Sequence, residues 1–148
     1  MSPYSNADFV QCVVARHYEP VHGSSYVSIG NLPFFDISFS DKVTVEVKVD
    51  AMAAKTLNAA VEYWDSRRDK PTGILETTAH LWLHCVPEGD KLRCYEIPTK
   101  KLLKLCIETG ETKPGGDYGS SCLKIIPLQK IREVSNQDFL LEGSLWKP

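Results

Sequence analysis

From Val43 to Asp50 the chain alternates without a break, with Val43, Val45, Val47 and Val49 on one face and Thr44, Glu46, Lys48 and Asp50 on the other. That is the period of a strand buried on one side. Residues 34–39 alternate as well, placing Phe35, Ile37 and Phe39 on one face and Phe34, Asp36 and Ser38 on the other. The residues between them, Ser40, Asp41 and Lys42, predict a hairpin whose register follows from its loop length. A three-residue loop sets Phe39 against Val43 and therefore Asp36 against Glu46, so both acids share a face with Ser38 and Lys48. A two-residue loop would set Asp36 opposite Val45, and the cost of burying an unpaired carboxylate among valines excludes it.

The flanking patterns predict helices and further strands. Ser5 or Asn6 caps a helix over residues 8–18 with Phe9, Val10, Val13 and Val14 as its apolar stripe, and Pro20 pushes Glu19 out of helix. A turn at Gly23 leads to an edge strand over 26–29. Residues 51–56 read as a short helix or a loop, and 58–64 as a strand or a helix, because the local period does not separate the two. A basic turn at 66–71 and a short helix at 72–78 precede a strand over 81–86, a turn at 87–90 and a returning strand over 91–97. Trp82 and His84 then share a face, with core packing the better account of both. Thr99 caps a helix reaching Ile107, with Leu102, Leu103, Cys106 and Ile107 inward and Lys100, Lys101 and Lys104 outward. Gly110 stops it, residues 113–119 read as a loop, and a late strand spans 122–126 before an amphipathic turn. The apolar tail, with Leu140, Leu141, Leu145 and Trp146, packs back on the core or makes a dimer contact. The sum is an α/β fold in one domain: a central mixed sheet flanked by helices.

Composition narrows this only a little. The 148 residues, 43% hydrophobic and 24% charged, suit one soluble domain with its own core. The net charge of -2 is not that of a broadly basic nucleic-acid binder, so any such surface must be local. Five cysteines without a Cys-x-x-Cys pair suggest neither a disulfide framework nor structural zinc. The N-terminus lacks the pattern of a signal peptide, there is no membrane segment, and the expected setting is reducing and cytoplasmic.

Chemistry enters with the polar face of the hairpin. Two carboxylates and an ammonium converging on a sheet make a hard-cation site that suits Mg²⁺, with Mn²⁺ as its substitute. A cation there polarises a phosphate and activates a bound water, while the lysine orients that water or steadies developing charge. Asp36 followed by Glu46-Val47-Lys48 resembles the acid and Glu-x-Lys signature of the PD-(D/E)XK nucleases, the restriction-endonuclease-like fold that includes phage-type Holliday junction resolvases. Residues 55–62, 70–82 and 95–99 resemble the stretches that follow the signature in small members of that family. The chain departs from the pattern at Phe35, where a proline often sits, at Leu57, where glycine is common, and at His80, where an acid is expected.

The resemblance implies a restriction-endonuclease-like fold and Mg²⁺-dependent cleavage of DNA leaving a 5′-phosphate. Asp36, Glu46 and the Val47 carbonyl would hold the metal and Lys48 would position the water. Asp8 on the first helix either complements the helix dipole or adds one more acid to the site, with Glu19 a weaker candidate, and Glu62 is a supporting carboxylate or a surface acid. Arg67, Arg68 and Lys70 in the basic turn, and Lys100, Lys101 and Lys104 on the lysine-rich helix, are candidate DNA-backbone contacts or simply solvated faces. His17 and His22 read as surface histidines. A branched-DNA resolvase working as a homodimer or larger homo-oligomer is the first expectation. A site-specific restriction or homing-type endonuclease is the second, and a catalytically silent binding module of the same fold is the reading from another class.

Overall fold

A computed structural model describes residues 3–28, 34–109, 111–116 and 119–142. Its centre is a six-stranded sheet in the order β1 (Ser25–Val27), β2 (Ile37–Phe39), β3 (Thr44–Val49), β6 (Leu81–Glu88), β7 (Lys91–Pro98) and β10 (Gln137–Glu142). The sheet is mixed: β3 and β6 run parallel, and every other neighbouring pair is antiparallel. One crossover joins β3 to β6 and carries α2 (Ala53–Thr56), β4 (Asn58–Asp65), β5 (Lys70–Pro71) and a 3-10 turn, Gly73–Leu75. β4 and β5 join β8 (Glu111–Gly115) and β9 (Ser121–Pro127) in a second, antiparallel sheet ordered β5-β4-β9-β8.

The alternation of β3 sorts the interior into two cores. On the valine face, α1 (Pro3–His22) lays Val10, Val14, Ala15 and Tyr18 against Ile37, Val45, Leu83 and Cys94. On the other face, the second sheet, α3 (Thr99–Glu108) and α4 (Leu128–Val134) enclose Val61, Trp82, Tyr95, Ile97, Leu102 and Ile126. The sheet is thus flanked by helices as expected, with the addition of a second sheet that the ambiguous period of residues 58–64 concealed.

Several boundaries differ from expectation for local reasons. α1 runs from Pro3 through Pro20 to His22, so Ser5 and Asn6 lie inside the helix and are not its caps. It ends at Gly23, whose N–H bonds the Glu19 carbonyl at 2.9 Å with φ at 88°, a left-handed cap that glycine adopts without strain. Thr99 is the first residue of α3 rather than its cap, and its hydroxyl makes no capping bond. Ile107 is 73% exposed, because Leu102 and Cys106 fill the inward stripe. Residues 111–115 form edge strand β8, paired to β9 from Glu111↔Ile125 to Gly115↔Ser121, so the first three residues of the loop expected over 113–119 are strand. Leu140 and Leu141 fall in β10 against β7, whereas Ile29, Gly110, Leu145 and Trp146 lie outside the described residues.

Leu57 closes α2 in the left-handed region, φ 59° and ψ 23°, with its side chain 67% exposed. A branched side chain there costs about 1–2 kcal/mol, while glycine adds about 0.5–1 kcal/mol of unfolded-state entropy. Leu57→Gly is therefore expected to raise stability by a few tenths to about 1 kcal/mol, read as a higher urea midpoint at unchanged slope.

Candidate functional site

The hairpin places the first acid beside the second. Ile37↔Val45 and Ser38↔Thr44 are paired, and the Phe39 N–H bonds the Val43 carbonyl at 2.9 Å, which is the register of the three-residue loop. Asp36 stands one residue before β2, its N–H on the Val45 carbonyl at 3.0 Å and its Oδ2 accepting the Val47 N–H at 2.7 Å. The acid therefore sits on the flank of β3 where β2 leaves it. Because the N–H and C=O of one strand residue point the same way, the Val47 carbonyl is directed to that same flank. Glu46 and Lys48 project from the face opposite the valines, paired across the parallel ladder with Trp82 and His84.

The two carboxyls stand close enough to act on one another. Burial pushes Glu46 up to about 8, and the neighbouring Asp36 charge adds to this, against the pull of Lys48. Burial raises Asp36 too, but the Val47 N–H, the Glu46 carboxyl and Lys48 all favour its charged form. A proton consequently resides on Glu46, whose Oε2 is buried without a partner. The native protein thus keeps a proton that the unfolded chain, with Glu46 at its ordinary 4.5, has already released. This contribution to stability is complete below the lower value and lost as pH rises through the upper one. With divalent ions chelated, the melting temperature is expected to fall from pH 5 towards pH 8.5 by reason of this group, and Glu46→Gln to flatten that fall.

A cleft of 230 Å³ opens over Glu46 and Lys48, walled by Glu62 of β4, Arg68, Thr72 and Glu76, with Trp82 beneath. Arg68 is held by Asp65, Nε to Oδ2 at 2.7 Å, and the charges of Glu76 and Glu62 act on it as well. Gly73 permits the tight wall: at φ 51° a Cβ would stand 2.1 Å from the Glu62 carbonyl oxygen. Arg68 also borders a neighbouring hollow with Asp65, Arg67, Ser120 and Ser121. A hollow of 720 Å³ between Leu57, Tyr95 and Leu128 lies away from the acid pair and offers no comparable cluster of titratable groups.

Behind the site runs a buried chain of hydrogen bonds. Trp82 Nε1–H donates to His84 Nδ1 at 3.1 Å, so the His84 proton is on Nε2 and faces Asp50 Oδ2 at 2.8 Å. Asp50 also accepts the N–H groups of Ala53 at 3.2 Å and Ala60 at 2.9 Å. Burial works against the Asp50 charge, yet His84 and these backbone donors hold its carboxyl below the usual range. Trp82 and His84 do share the predicted face. Asp50, the last polar position of the alternating run and so on the same face as Glu46 and Lys48, joins Trp82 through His84.

The remaining expected residues fall in different places. Asp8 is on α1, whose packing face is the valine side of the sheet, and it does not line the acid cleft. Glu19 stays in helix and supplies its carbonyl to the Gly23 cap. Arg67, Arg68 and Lys70 are exposed at the β4–β5 turn, Arg68 at the cleft itself. Lys100, Lys101 and Lys104 are exposed on α3 and line no part of the cleft, Lys104 pairing with Glu108 at 3.8 Å. His22 pairs with Asp41 at 2.6 Å and His17 stacks on Phe139 at 4.0 Å, so neither is merely solvated. His80 contacts the Thr44 hydroxyl at 3.0 Å and ties the start of β6 to β3. Thr72 and Glu76 join the site from within the 70–82 stretch, where the resemblance assigns neither of them a role of its own.

Among the described residues no group of three or more His, Cys, Asp or Glu side chains forms a metal cluster. The donor set is two carboxyls with one orphaned oxygen and a backbone carbonyl, all oxygen. That fits a hard cation which keeps several of its own waters, and does not fit zinc. No helix among the described residues is long and apolar enough to cross a membrane. No protein-family model, curated protein or solved structure matches the chain.

Proposed function

We propose that this protein is a Mg²⁺-dependent endonuclease of the PD-(D/E)XK type that hydrolyses DNA phosphodiester bonds, with four-way junctions as its preferred substrate. The observation that carries the reading is the Asp36–Glu46 carboxyl pair, with its orphaned Glu46 oxygen, beside Lys48 in an open cleft. The signature resemblance supports it. Asp36, Glu46 and the Val47 carbonyl would hold Mg²⁺ or Mn²⁺, which when bound supplies Lewis acidity toward a phosphate oxygen and lowers the pKa of a water.

The chain's own residues do the rest. Lys48, on the rim of the cleft, donates hydrogen bonds that orient the attacking water and offset charge building on the phosphate. Asp36, Glu62 and Glu76 repel a phosphate diester until a cation neutralises them, which makes DNA entry into the cleft depend on the metal. Arg68, anchored by Asp65, offers its outer guanidinium nitrogens to the next phosphate, in the hollow shared with Arg67, Ser120 and Ser121. A set directed at the DNA backbone reads shape rather than sequence, which would suit a junction better than a particular duplex site. A homodimer would bring two such sites to the paired strands of a junction.

One observation favours a catalytically silent DNA-binding module instead: the Asp36 carboxylate already serves a structural task, accepting the Val47 N–H. Cleavage assays on labelled four-way junction, flap, single-stranded and linear duplex DNA, with Mg²⁺ and with chelator, decide between them. The expected result is metal-dependent cutting of the junction above the duplex. Cutting confined to particular duplex sites would favour a site-specific enzyme, and no cutting of any substrate would leave the silent module.

A further inference from the structure

Four buried side-chain atoms among the described residues lack a hydrogen-bond partner: Gln11 Oε1, Glu46 Oε2, Thr72 Oγ1 and Thr99 Oγ1. Two of the four, on Glu46 and Thr72, belong to walls of the same 230 Å³ cleft. Thr72 is only 7% exposed, and leaving such a group unpaired costs about 1–3 kcal/mol. The backbone gives it no way out. Its N–H bonds the Tyr63 carbonyl at 3.1 Å, its own carbonyl accepts the Leu75 N–H at 3.1 Å, and the adjoining Gly73 is pressed against Glu62. The main chain at Thr72 is thus held on both sides while its hydroxyl has no partner in the protein. At roughly 30 Å³ per water, the cleft has room for several.

The lining defines what the hydroxyl meets. With Glu46 holding its proton, the carboxylates of Glu62, Glu76 and the adjoining Asp36 still outnumber Lys48 and Arg68, so the cleft favours a cationic guest. A small hard cation keeps part of its hydration shell, and the hydrogens of those waters need acceptors on the protein. We propose that the Thr72 hydroxyl is an outer-sphere contact for a hydrated divalent cation held by Asp36 and Glu46, accepting a hydrogen bond from one of its waters. This rests on reading those two acids as a cation site. Thr72 is then a positioning residue that acts on the cation through its solvent, and such partners typically change metal affinity by roughly 10- to 100-fold.

The test is calorimetric titration of Mn²⁺ into chelator-stripped full-length wild type, Glu46→Gln, Thr72→Val and Thr72→Ser, with metal-free melting temperatures measured alongside. Valine keeps the shape of threonine without the hydroxyl, and serine keeps the hydroxyl without the methyl. Thr72→Val is expected to bind Mn²⁺ roughly 10-fold or more weakly, and Thr72→Ser to stay close to wild type. The metal-free Thr72→Val protein is expected to melt no lower than wild type, because it loses only an unpaired polar group. Equal Mn²⁺ affinity in wild type and Thr72→Val overturns the proposal, as does weak binding by Thr72→Ser. Reduced affinity of Thr72→Val accompanied by a lower metal-free melting temperature also overturns it, since the hydroxyl would then be structural. Failure of wild type to bind Mn²⁺, or undiminished binding by Glu46→Gln, overturns the cation site itself and this contact with it.

Discussion

Asp36→Asn, Glu46→Gln and Lys48→Ala are each expected to slow single-turnover cleavage of a four-way junction by roughly a hundred- to a thousandfold or more. The fold should survive all three, since Lys48 is exposed and the other two changes keep the side-chain shape. The losses should not add: once one member is missing, the others serve a unit that no longer exists. In chelator, DNA affinity should persist in Glu46→Gln, which replaces an already neutral group, and persist or tighten in Asp36→Asn, which removes a charge that repels the phosphate while backbone contacts remain. Full activity in Lys48→Ala would take the water-orienting role away from the lysine. Full activity in Glu46→Gln would place the chemistry elsewhere.

Asp50→Ala is expected to cost about 3–5 kcal/mol of stability, a large part of the 5–15 kcal/mol that a domain of this size typically has. Three buried donors, His84 Nε2 and the N–H groups of Ala53 and Ala60, lose their acceptor at once. His84→Ala should cost less than Asp50→Ala, because it strands the Trp82 indole N–H but leaves Asp50 the N–H groups of Ala53 and Ala60. Urea unfolding reads both effects as a lower midpoint. Arg93→Ala, which breaks exposed ion pairs with Glu88 and Asp138, provides the contrast and should cost less than about 1 kcal/mol. A change of similar size for Asp50→Ala would mean that solvent replaces the lost acceptor in a pair now 7% and 0% exposed.

The hairpin and its acid pair were legible in the sequence because two local rules agree there. Strand alternation fixes which side chains share a face, and loop length fixes register, so Asp36 meets Glu46 with no knowledge of the rest of the chain. The strands β6 and β7 were readable for the same reason, around the tight turn at Gly89 and Asp90. Where local preference lost, tertiary packing had won. Pro20 remains helical because it lies in the last turn of a helix docked through Val14 and Tyr18. Residues 111–115, rich in turn formers, become a strand because β9 offers an open edge. Glu62, Thr72 and Glu76 lie in the crossover, and their meeting with Glu46 depends on how that crossover folds back over β3, which no sequence spacing encodes.

The parallel pairing of β3 with β6 also sets an order of assembly. Asp36 and Glu46 belong to a hairpin that closes locally, whereas the cleft walls exist only after the crossover has brought β6 against β3. The crossover in turn needs β9, made much later in the chain, to complete the sheet around β4. Contacts between distant segments form slowly, because loop-closure entropy is spent before they reward it. A growing chain that has emerged only as far as β7 therefore carries the acid pair but lacks the Glu62 and Thr72 wall in its finished form. On the proposed reading, the hairpin that would hold the cation precedes the enclosure that would make it selective, so the nascent protein would meet metal before it could grip a strand of DNA.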